Sequence, residues 1–91
     1  ARDELMARVD SIVAERARVA AGLAEQGWKL APSEANFVWF PLGADSGPFA
    51  AACEAAGLMV RRYGDDGVRV TIGEPEANTR FLQVCRAFAP R

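Results

Sequence analysis

The strongest constraint on this chain is its hydrophobic periodicity, which alternates between helical and strand-like spacing and is broken by glycine or proline at most changes. Residues 3–26 have helical spacing, and Gly27 is a natural helix stop. The pattern predicts one long amphipathic helix with a single apolar stripe. The stripe consists of Leu5, Val9, Ile12, Val13, Val19, Ala20 and Leu23, with Arg8, Glu15, Arg18 and Glu25 near or on the solvent side.

Two short segments after this helix have strand character. Residues 36–40, Asn-Phe-Val-Trp-Phe, mostly favour β structure and lack polar alternation, which predicts a strand covered on both faces. Residues 28–31 predict a further short strand, which Pro32 and Ser33 would end.

Two more helices are predicted in the second half of the chain. Pro48 fits the first turn of one, and Gly57 fits its end. Residues 74–76, Glu-Pro-Glu, begin the other, because acidic groups are favoured at a helix N-terminus. Their inward stripes are Phe49, Ala52, Cys53 and Ala56 in the first, and Ala77, Phe81, Leu82, Cys85 and Phe88 in the second.

Between these helices the sequence predicts a hairpin. Residues 58–62 and 68–72 have strand composition, and the connector 63–67 ends in Asp-Gly, a turn signal. The whole order predicts a single α+β domain over residues 1–91, with helices on one face of a small, mostly antiparallel sheet. The other face of that sheet then needs polar residues or a partner.

Charge and residue usage exclude several classes of protein. Eleven basic against twelve acidic residues leave a net charge of -1, so we expect no nucleic-acid partner. No run approaches the roughly 18 apolar residues of a membrane helix, so we expect no membrane partner. The chain has no histidine. It therefore offers no imidazole metal ligand and no Ser-His or Cys-His couple, and we expect no metal site.

The termini and the cysteines bear on the compartment. The charged helical start shows no signal peptide, and Ala1 in place of methionine indicates a processed or excised piece. Cys53 and Cys85 lie in apolar helical stretches, where two buried thiols are favoured over a disulfide. We therefore expect a cytoplasmic protein.

The alternation of residues 68–72 singles out an arginine. Val68, Val70 and Ile72 point to one face and Arg69 to the other, where a guanidinium suits a carboxylate or phosphate. By periodicity alone, a solvated surface arginine is the competing interpretation. Since neighbours in a strand point to opposite faces, only one of Arg61 and Arg62 can join Arg69 in an anion site.

Other candidates for chemistry are weaker. Lys29 is the only lysine, and nothing around it supplies the desolvated pocket that a covalent cofactor needs. We therefore predict no catalytic residue in this chain. Trp39, Phe40 and Tyr63 are expected to pack in the core or loops, and Asn36 to cap or bridge backbone groups.

Three motifs in register resemble one family. Residues 32–38 resemble the Pro-Ser-x-Ala-Asn-Phe entry to the small-domain strand of class I/II aminotransferases. Residues 57–61 resemble their Gly-Ile-x-Val-Arg strand, and residues 68–73 with Glu76 and Asn78 resemble Arg-Val-Thr-Ile-Gly followed by Glu-Glu-Asn. The chain is similar over nearly its whole length to the C-terminal small domain of histidinol-phosphate and aromatic amino acid aminotransferases.

This resemblance implies a pyridoxal-phosphate transaminase, a homodimer when intact, that moves an amino group between an aromatic amino acid or histidinol phosphate and a 2-oxo acid. In such enzymes the arginine corresponding to Arg69 binds the substrate α-carboxylate, and that corresponding to Arg61 lies towards the substrate side chain. Arg62 stands where relatives often have proline or aspartate, which leaves open whether Arg61 or Arg62 faces the site. The family's catalytic lysine and cofactor-binding residues match no position here, so the piece alone is expected to be inactive.

Two other functions share the fold class. One is a stand-alone ligand-binding or regulatory module without catalysis, and the other is a scaffold that uses its uncovered sheet face. An upstream Ser-x-x-Lys segment with a glycine-rich stretch would distinguish the aminotransferase from both.

Overall fold

The helices and strands follow the predicted order except at residues 28–31. The computed structural model describes residues 2–31 and 36–89, with side chains from residue 12 onwards. In this part of the chain the elements are α1 (Arg2–Glu25), β1 (Phe37–Phe40), a short 3-10 helix (Gly43–Asp45), α2 (Ser46–Ala55), β2 (Val60–Tyr63), β3 (Gly67–Thr71) and α3 (Pro75–Ala87). The break predicted at Pro32 and Ser33 and the first residues of the Pro-Ser-x-Ala-Asn-Phe motif lie outside the described residues.

The sheet has β3 at its centre. The strand order is β1-β3-β2, and β3 is antiparallel to both neighbours. The predicted hairpin is confirmed as β2 and β3, joined by a turn at residues 64–66. The α+β class is therefore confirmed, and the three described strands are antiparallel throughout.

The core lies between one face of the sheet and the helices. Phe40, Val68 and Val70 point to this face and are completely buried, as the alternation of β3 predicted. Phe40 is central, since its ring lies 5.1 Å from Trp28, 4.8 Å from Phe49 and 5.8 Å from Phe81. The remaining buried apolar residues are Val19, Leu23, Phe49, Ala50, Cys53, Leu58, Phe81 and Cys85.

Two glycines end helices as predicted. Gly27 has φ 93°, and the amide of Trp28 donates to the carbonyl of Leu23. Gly57 has φ 77°, and the amide of Leu58 donates to the carbonyl of Cys53. Each pair forms a Schellman cap, in which an apolar residue beyond the glycine folds back onto the helix.

This cap explains why the strand predicted over residues 28–31 is wrong. The amide of Trp28 bonds to α1, and the indole packs edge-on against Phe40 in the core. Leu30 also packs against the core. The segment is used for side-chain packing and has no strand pairing in the structure.

The apolar stripe predicted for α1 is wrong at several positions. Val19 and Leu23 are buried, but Ile12 is 46% and Val13 is 48% exposed, and Ala20 is also exposed. A helix of 24 residues is about 36 Å long, and the buried Val19 and Leu23 lie in its C-terminal half. The side chains of Leu5, Arg8 and Val9 lie outside the described ones.

The two cysteines are free and completely buried, so the prediction of two buried thiols is confirmed. Burial raises the pKa of the Cys53 thiol to about 12, and burial also raises the pKa of Cys85. Both thiols are therefore protonated at neutral pH and act as small apolar groups.

No helix within residues 2–31 and 36–89 combines the length and apolar character needed to cross a membrane.

Gly67 begins β3 under the ring of Trp39. A Cβ at this position would lie 2.6 and 2.7 Å from two indole carbons of Trp39 and would also meet the carbonyl oxygen of Phe40. The carbonyl belongs to the paired strand and cannot move without breaking the sheet. Glycine is therefore required for β1 and β3 to approach this closely.

We expect Gly67→Ala to lower the free energy of unfolding by about 1–3 kcal/mol, because overpacking forces the backbone apart. The measurement is urea-induced unfolding of the chain. Gly73→Ala is the matched control, since a Cβ there has its nearest contact at 3.8 Å, with Ala77. Its effect should stay below about 1 kcal/mol. Equal unfolding midpoints for the two variants would contradict the packing described.

Candidate functional site

The sheet face opposite the helices carries the candidate site. We call it the open face and define it by Phe37, Trp39, Arg61, Tyr63, Gly67, Arg69 and Thr71. Trp39 lies opposite Arg69 in the pairing of β1 with β3, and Arg61 lies opposite Arg69 in the pairing of β2 with β3. One cross-strand row therefore contains an indole and two guanidinium groups.

Arg69 projects from the middle of the sheet, on the side predicted by strand parity. It is half-buried, between the buried Val68 and Val70 in sequence. The guanidinium carbon lies 5.4 Å from the centre of the Phe37 ring, within the range of a cation–π contact. This ring restricts the guanidinium from one side and leaves its N–H groups available for an anion.

Arg61, and not Arg62, shares the open face with Arg69. The guanidinium carbon of Arg61 lies 5.2 Å from the centre of the Tyr63 ring. Arg62 points to the other face, where its Nε donates to Gly64 O at 2.9 Å and its Nη2 to Asp65 Oδ1 at 3.1 Å. The strand register therefore places Arg61, and not Arg62, on the same face as Arg69.

Arg61 and Arg69 bring two like charges together without a carboxylate. The ion pairs among the described residues are Arg18–Glu15 and Arg62–Asp65, so neither open-face arginine is paired there. Like charges directly opposite each other destabilise a sheet. An arrangement that costs stability while keeping both forks available is suited to bidentate binding of an anion.

Aromatic rings flank these charges. Trp39 and Tyr63 lie edge to face, with ring centres 5.5 Å apart and planes at 69°. Both are half-buried, so they are accessible beside Arg61 and Arg69. The expectation of ordinary packing holds for Phe40, which is in the core, whereas Trp39 and Tyr63 lie on the open face. The prediction of a strand covered on both faces is therefore wrong for β1 within this chain.

Residues for covalent or metal chemistry do not gather at this face. Lys29 is exposed in the segment after α1 and is not part of the open face. No three of the described Cys, Asp and Glu residues come close enough together to hold a metal ion. The chemistry that the described residues do place on the open face is that of two guanidinium groups beside aromatic rings.

A buried asparagine supports the end of β3, and the sequence alone gave it no role beyond its place in a motif. Asn78 is 1% exposed. Its Oδ1 accepts from Gly73 N at 2.8 Å, and its Nδ2 donates to Gly73 O at 2.8 Å and to Glu15 Oε1 at 3.0 Å. The signal that could have identified Asn78 is its position as a polar residue beside the apolar stripe of α3. An amide buried at such a position requires hydrogen-bonding partners.

Glu15 links this asparagine to α1. Arg18 donates to Glu15 through Nε at 2.9 Å and Nη2 at 2.8 Å, and also donates to Pro75 O at 2.9 Å. The hydrogen bonds from Arg18, and then that from Asn78, lower the pKa of Glu15 to about 2. The carboxylate therefore remains charged at neutral pH and joins α1 to the start of α3.

An apolar hollow between α1 and β1 is a weaker candidate. It is lined by Arg16, Val19, Ala20, Leu23, Ala24, Trp28, Leu30, Ala31, Phe37, Val38 and Ile72. A ligand pocket needs several polar groups that converge and fix the ligand's orientation. Arg16 is the one charged residue in this lining, so the open face offers the more specific chemistry.

Known proteins resemble this chain over one part of their length. The chain is 54% identical to the aromatic amino acid aminotransferase of Streptomyces avermitilis, 56% to that of Streptomyces coelicolor and 52% to that of Mycobacteroides abscessus, each over 88 residues. The chain is homologous to one segment of these aminotransferases. The 88 residues are 97% of this chain and 24%, 24% and 25% of the three relatives, so the chain spans about a quarter of their length.

The resemblance found in the three sequence motifs is thus confirmed for aminotransferases. The names of these relatives specify aromatic amino acids and do not mention histidinol phosphate. No protein-family model matches the chain.

The pKa of Glu15 leads to a test of its link to Asn78. Because this pKa is lower in the folded chain than its ordinary value of 4.5, the ionised group stabilises the fold above that value. This stabilisation is lost as the pH falls from about 4.5 to about 2. We expect the difference in unfolding free energy between the parent and Glu15→Gln to shrink over this range.

The measurement is urea unfolding at a series of pH values from neutral to acid. Glu25→Gln is the control, because Glu25 is an exposed carboxylate on the same helix. A difference between parent and Glu15→Gln that does not change with pH would show that Glu15 lacks these hydrogen bonds.

Proposed function

We propose that residues 1–91 form the C-terminal small domain of a pyridoxal-phosphate aminotransferase that acts on aromatic amino acids and a 2-oxo acid. The observation that carries this proposal is the pair of open-face arginines, unpaired among the described residues, in a chain that is 52–56% identical to part of aromatic amino acid aminotransferases. Substrates of this class all carry a carboxylate. A guanidinium fork binds that group through two charge-assisted hydrogen bonds.

Arg69 would bind the α-carboxylate. It occupies the centre of the sheet, is half-buried, and is held from one side by the Phe37 ring. These features reduce the freedom of the guanidinium before substrate arrives, which favours binding. The role does not depend on the substrate side chain, since every amino acid and 2-oxo acid presents the same carboxylate.

Arg61 would lie towards the side-chain end of the substrate. It is exposed and lies against Tyr63, whose ring packs against Trp39. The two aromatic rings offer apolar contact to an aromatic side chain beside the charged groups. Histidinol phosphate is a second candidate substrate, because paired guanidiniums also suit a phosphate, but the relatives' names favour aromatic amino acids.

The residues of this chain do not fit a site for pyridoxal phosphate. Lys29 is the only lysine of the sequence and is exposed, whereas a lysine that binds this cofactor covalently needs a desolvated pocket. The cofactor would supply the electron sink for amino transfer, held by a large domain outside this chain. We propose that the intact protein is a cytoplasmic homodimer, with which the two free cysteines are consistent.

A stand-alone binding or regulatory module is the alternative, and it is not favoured. Such a module shares the fold class, but it gives no reason for high identity to one segment of a longer aminotransferase.

Arg69→Ala in the intact aminotransferase should reduce kcat/KM for every amino-acid substrate. Removing one partner of a buried charged hydrogen-bonded pair costs about 2–5 kcal/mol, which corresponds to roughly 30- to 5,000-fold. Arg69→Lys should recover only part of the loss, because a point charge cannot reproduce the fork. Cofactor absorbance should be unchanged in both variants. The measurement is steady-state kinetics with two amino acids of different side chain.

The adjacent arginines provide matched controls for this experiment. Arg61→Ala should alter the ratio of kcat/KM between the two amino acids, because Arg61 shares the open face. Arg62→Ala should leave this ratio unchanged, because Arg62 binds Gly64 and Asp65 on the other face. If Arg69→Ala stays within about threefold of the parent, the carboxylate is bound elsewhere and the assignment is wrong.

The chain by itself should not bind pyridoxal phosphate at a defined site. We expect borohydride reduction of a mixture of the two to give no saturable labelling of Lys29, because this lysine is exposed. Mass spectrometry of the reduced peptide across a range of cofactor concentrations measures this. Labelling of Lys29 that saturates at one cofactor per chain would contradict the proposed division of roles.

A further inference from the structure

Asn78 closes a small ring of hydrogen bonds around Gly73. One amide side chain accepts from the backbone N–H of Gly73 and donates to its carbonyl, both at 2.8 Å. A neighbouring strand would satisfy a backbone in the same way, so Asn78 extends the pairing of the chain just beyond the end of β3. An ionised carboxylate of nearly the same shape could supply only the acceptor.

Gly73, which Asn78 holds through these two hydrogen bonds, is connected directly to the open face. Ile72, immediately before it, donates its amide to the carbonyl of Asn36 at 2.8 Å. Phe37, which follows Asn36 and begins β1, pairs with Thr71 and places its ring against the Arg69 guanidinium. Holding Gly73 therefore fixes the end of the β1–β3 ladder at which Phe37 meets Arg69.

The same asparagine also binds α1. Its Nδ2 donates to Glu15, which accepts from Arg18, and Arg18 donates to Pro75 O and to Thr79 Oγ1. Asn78 thus connects three parts of the fold: the end of β3, the first turn of α3 and α1. The oxygen of this buried amide therefore accepts one hydrogen bond, and its nitrogen donates two.

We propose that Asn78 is a positioning residue for Arg69, acting through Gly73 and the β1–β3 register, and not only a stabilising core residue. This inference rests on the proposed role of Arg69 in carboxylate binding. A displacement of about 1 Å at a binding group can cost about 100-fold in rate. Loss of the hydrogen bonds between Asn78 and Gly73 should therefore weaken carboxylate binding more than the loss of stability alone explains.

The experiment uses Asn78→Asp in the intact aminotransferase, with a nearly isosteric side chain that keeps the acceptor for Gly73 N–H. The ionised carboxylate cannot donate to Gly73 O, and it faces the carboxylate of Glu15. Two controls lie on the same helix. Cys85→Ser perturbs a buried position two turns further along without touching Gly73, and Gln83→Ala changes an exposed side chain.

The readouts are the melting temperature, kcat, KM and the dissociation constant of 3-phenylpropionate, an unreactive aromatic carboxylate. We expect Asn78→Asp to raise the dissociation constant and KM about 10- to 100-fold at a temperature where all variants are folded. Cys85→Ser, with a comparable loss of melting temperature, should change both by less than about threefold. Equal effects of the two variants would show that Asn78 is purely structural.

The unmodified enzyme provides a second measurement that does not depend on a variant folding. Coupling between two sites is reciprocal. If the hydrogen bonds between Asn78 and Gly73 improve carboxylate binding, the bound carboxylate must in turn stabilise those hydrogen bonds. Saturating 3-phenylpropionate should therefore slow hydrogen exchange of a peptide covering residues 72–74. The expected factor is about tenfold or more, because the coupling is equal in both directions. Unchanged exchange under saturation would overturn the proposal.

The outcomes separate this inference from the proposed function. If Arg69→Ala abolishes binding while Asn78→Asp behaves like Cys85→Ser, the carboxylate site stands and the positioning role fails. If Arg69→Ala has no effect, the proposed site itself fails.

Discussion

The antiparallel register of β3 with its two neighbours determines the structure on both sides of the sheet. Because side chains alternate along a strand, the pairing that buries Val68 and Val70 against the helices also places Arg69 on the open face. The same pairing brings Trp39 and Arg61 to either side of Arg69. A slip of one residue would bury a guanidinium in the core, so the core and the candidate site are specified by the same constraint.

Two close approaches hold this register. At the start of β3, Gly67 lets the Trp39 ring lie on the backbone, and a single methyl group would force the strands apart. Beyond its end, the Asn78 side chain takes the place of a strand partner for Gly73. The buried amide costs desolvation, which its hydrogen bonds to Gly73 and Glu15 offset. The result is a sheet that presents two like charges on one face without a carboxylate partner among the described residues.

Much of this arrangement could be predicted from the sequence because it depends on local patterns. The alternation of residues 68–72 predicted the direction of Arg69, and the Asp-Gly turn predicted the hairpin. The exposure of Ile12 and Val13 could not be predicted, since periodicity defines a stripe but not how far the neighbouring elements extend along it. The strand predicted at residues 28–31 failed because packing of Trp28 on Phe40 competed with sheet pairing. The partners of Asn78 come from distant parts of the chain, and only tertiary structure brings Glu15 and Gly73 to it.

The proposed role of Arg69 is to bind the substrate carboxylate on the open face. A crystal structure of the intact protein with an unreactive aromatic carboxylate bound tests this role. We expect two N–H···O contacts of about 2.7–2.9 Å between the Arg69 guanidinium and the carboxylate, with Arg61 towards the aromatic end and Arg62 directed away. A carboxylate bound by other residues, with Arg69 beyond hydrogen-bonding distance, would contradict it.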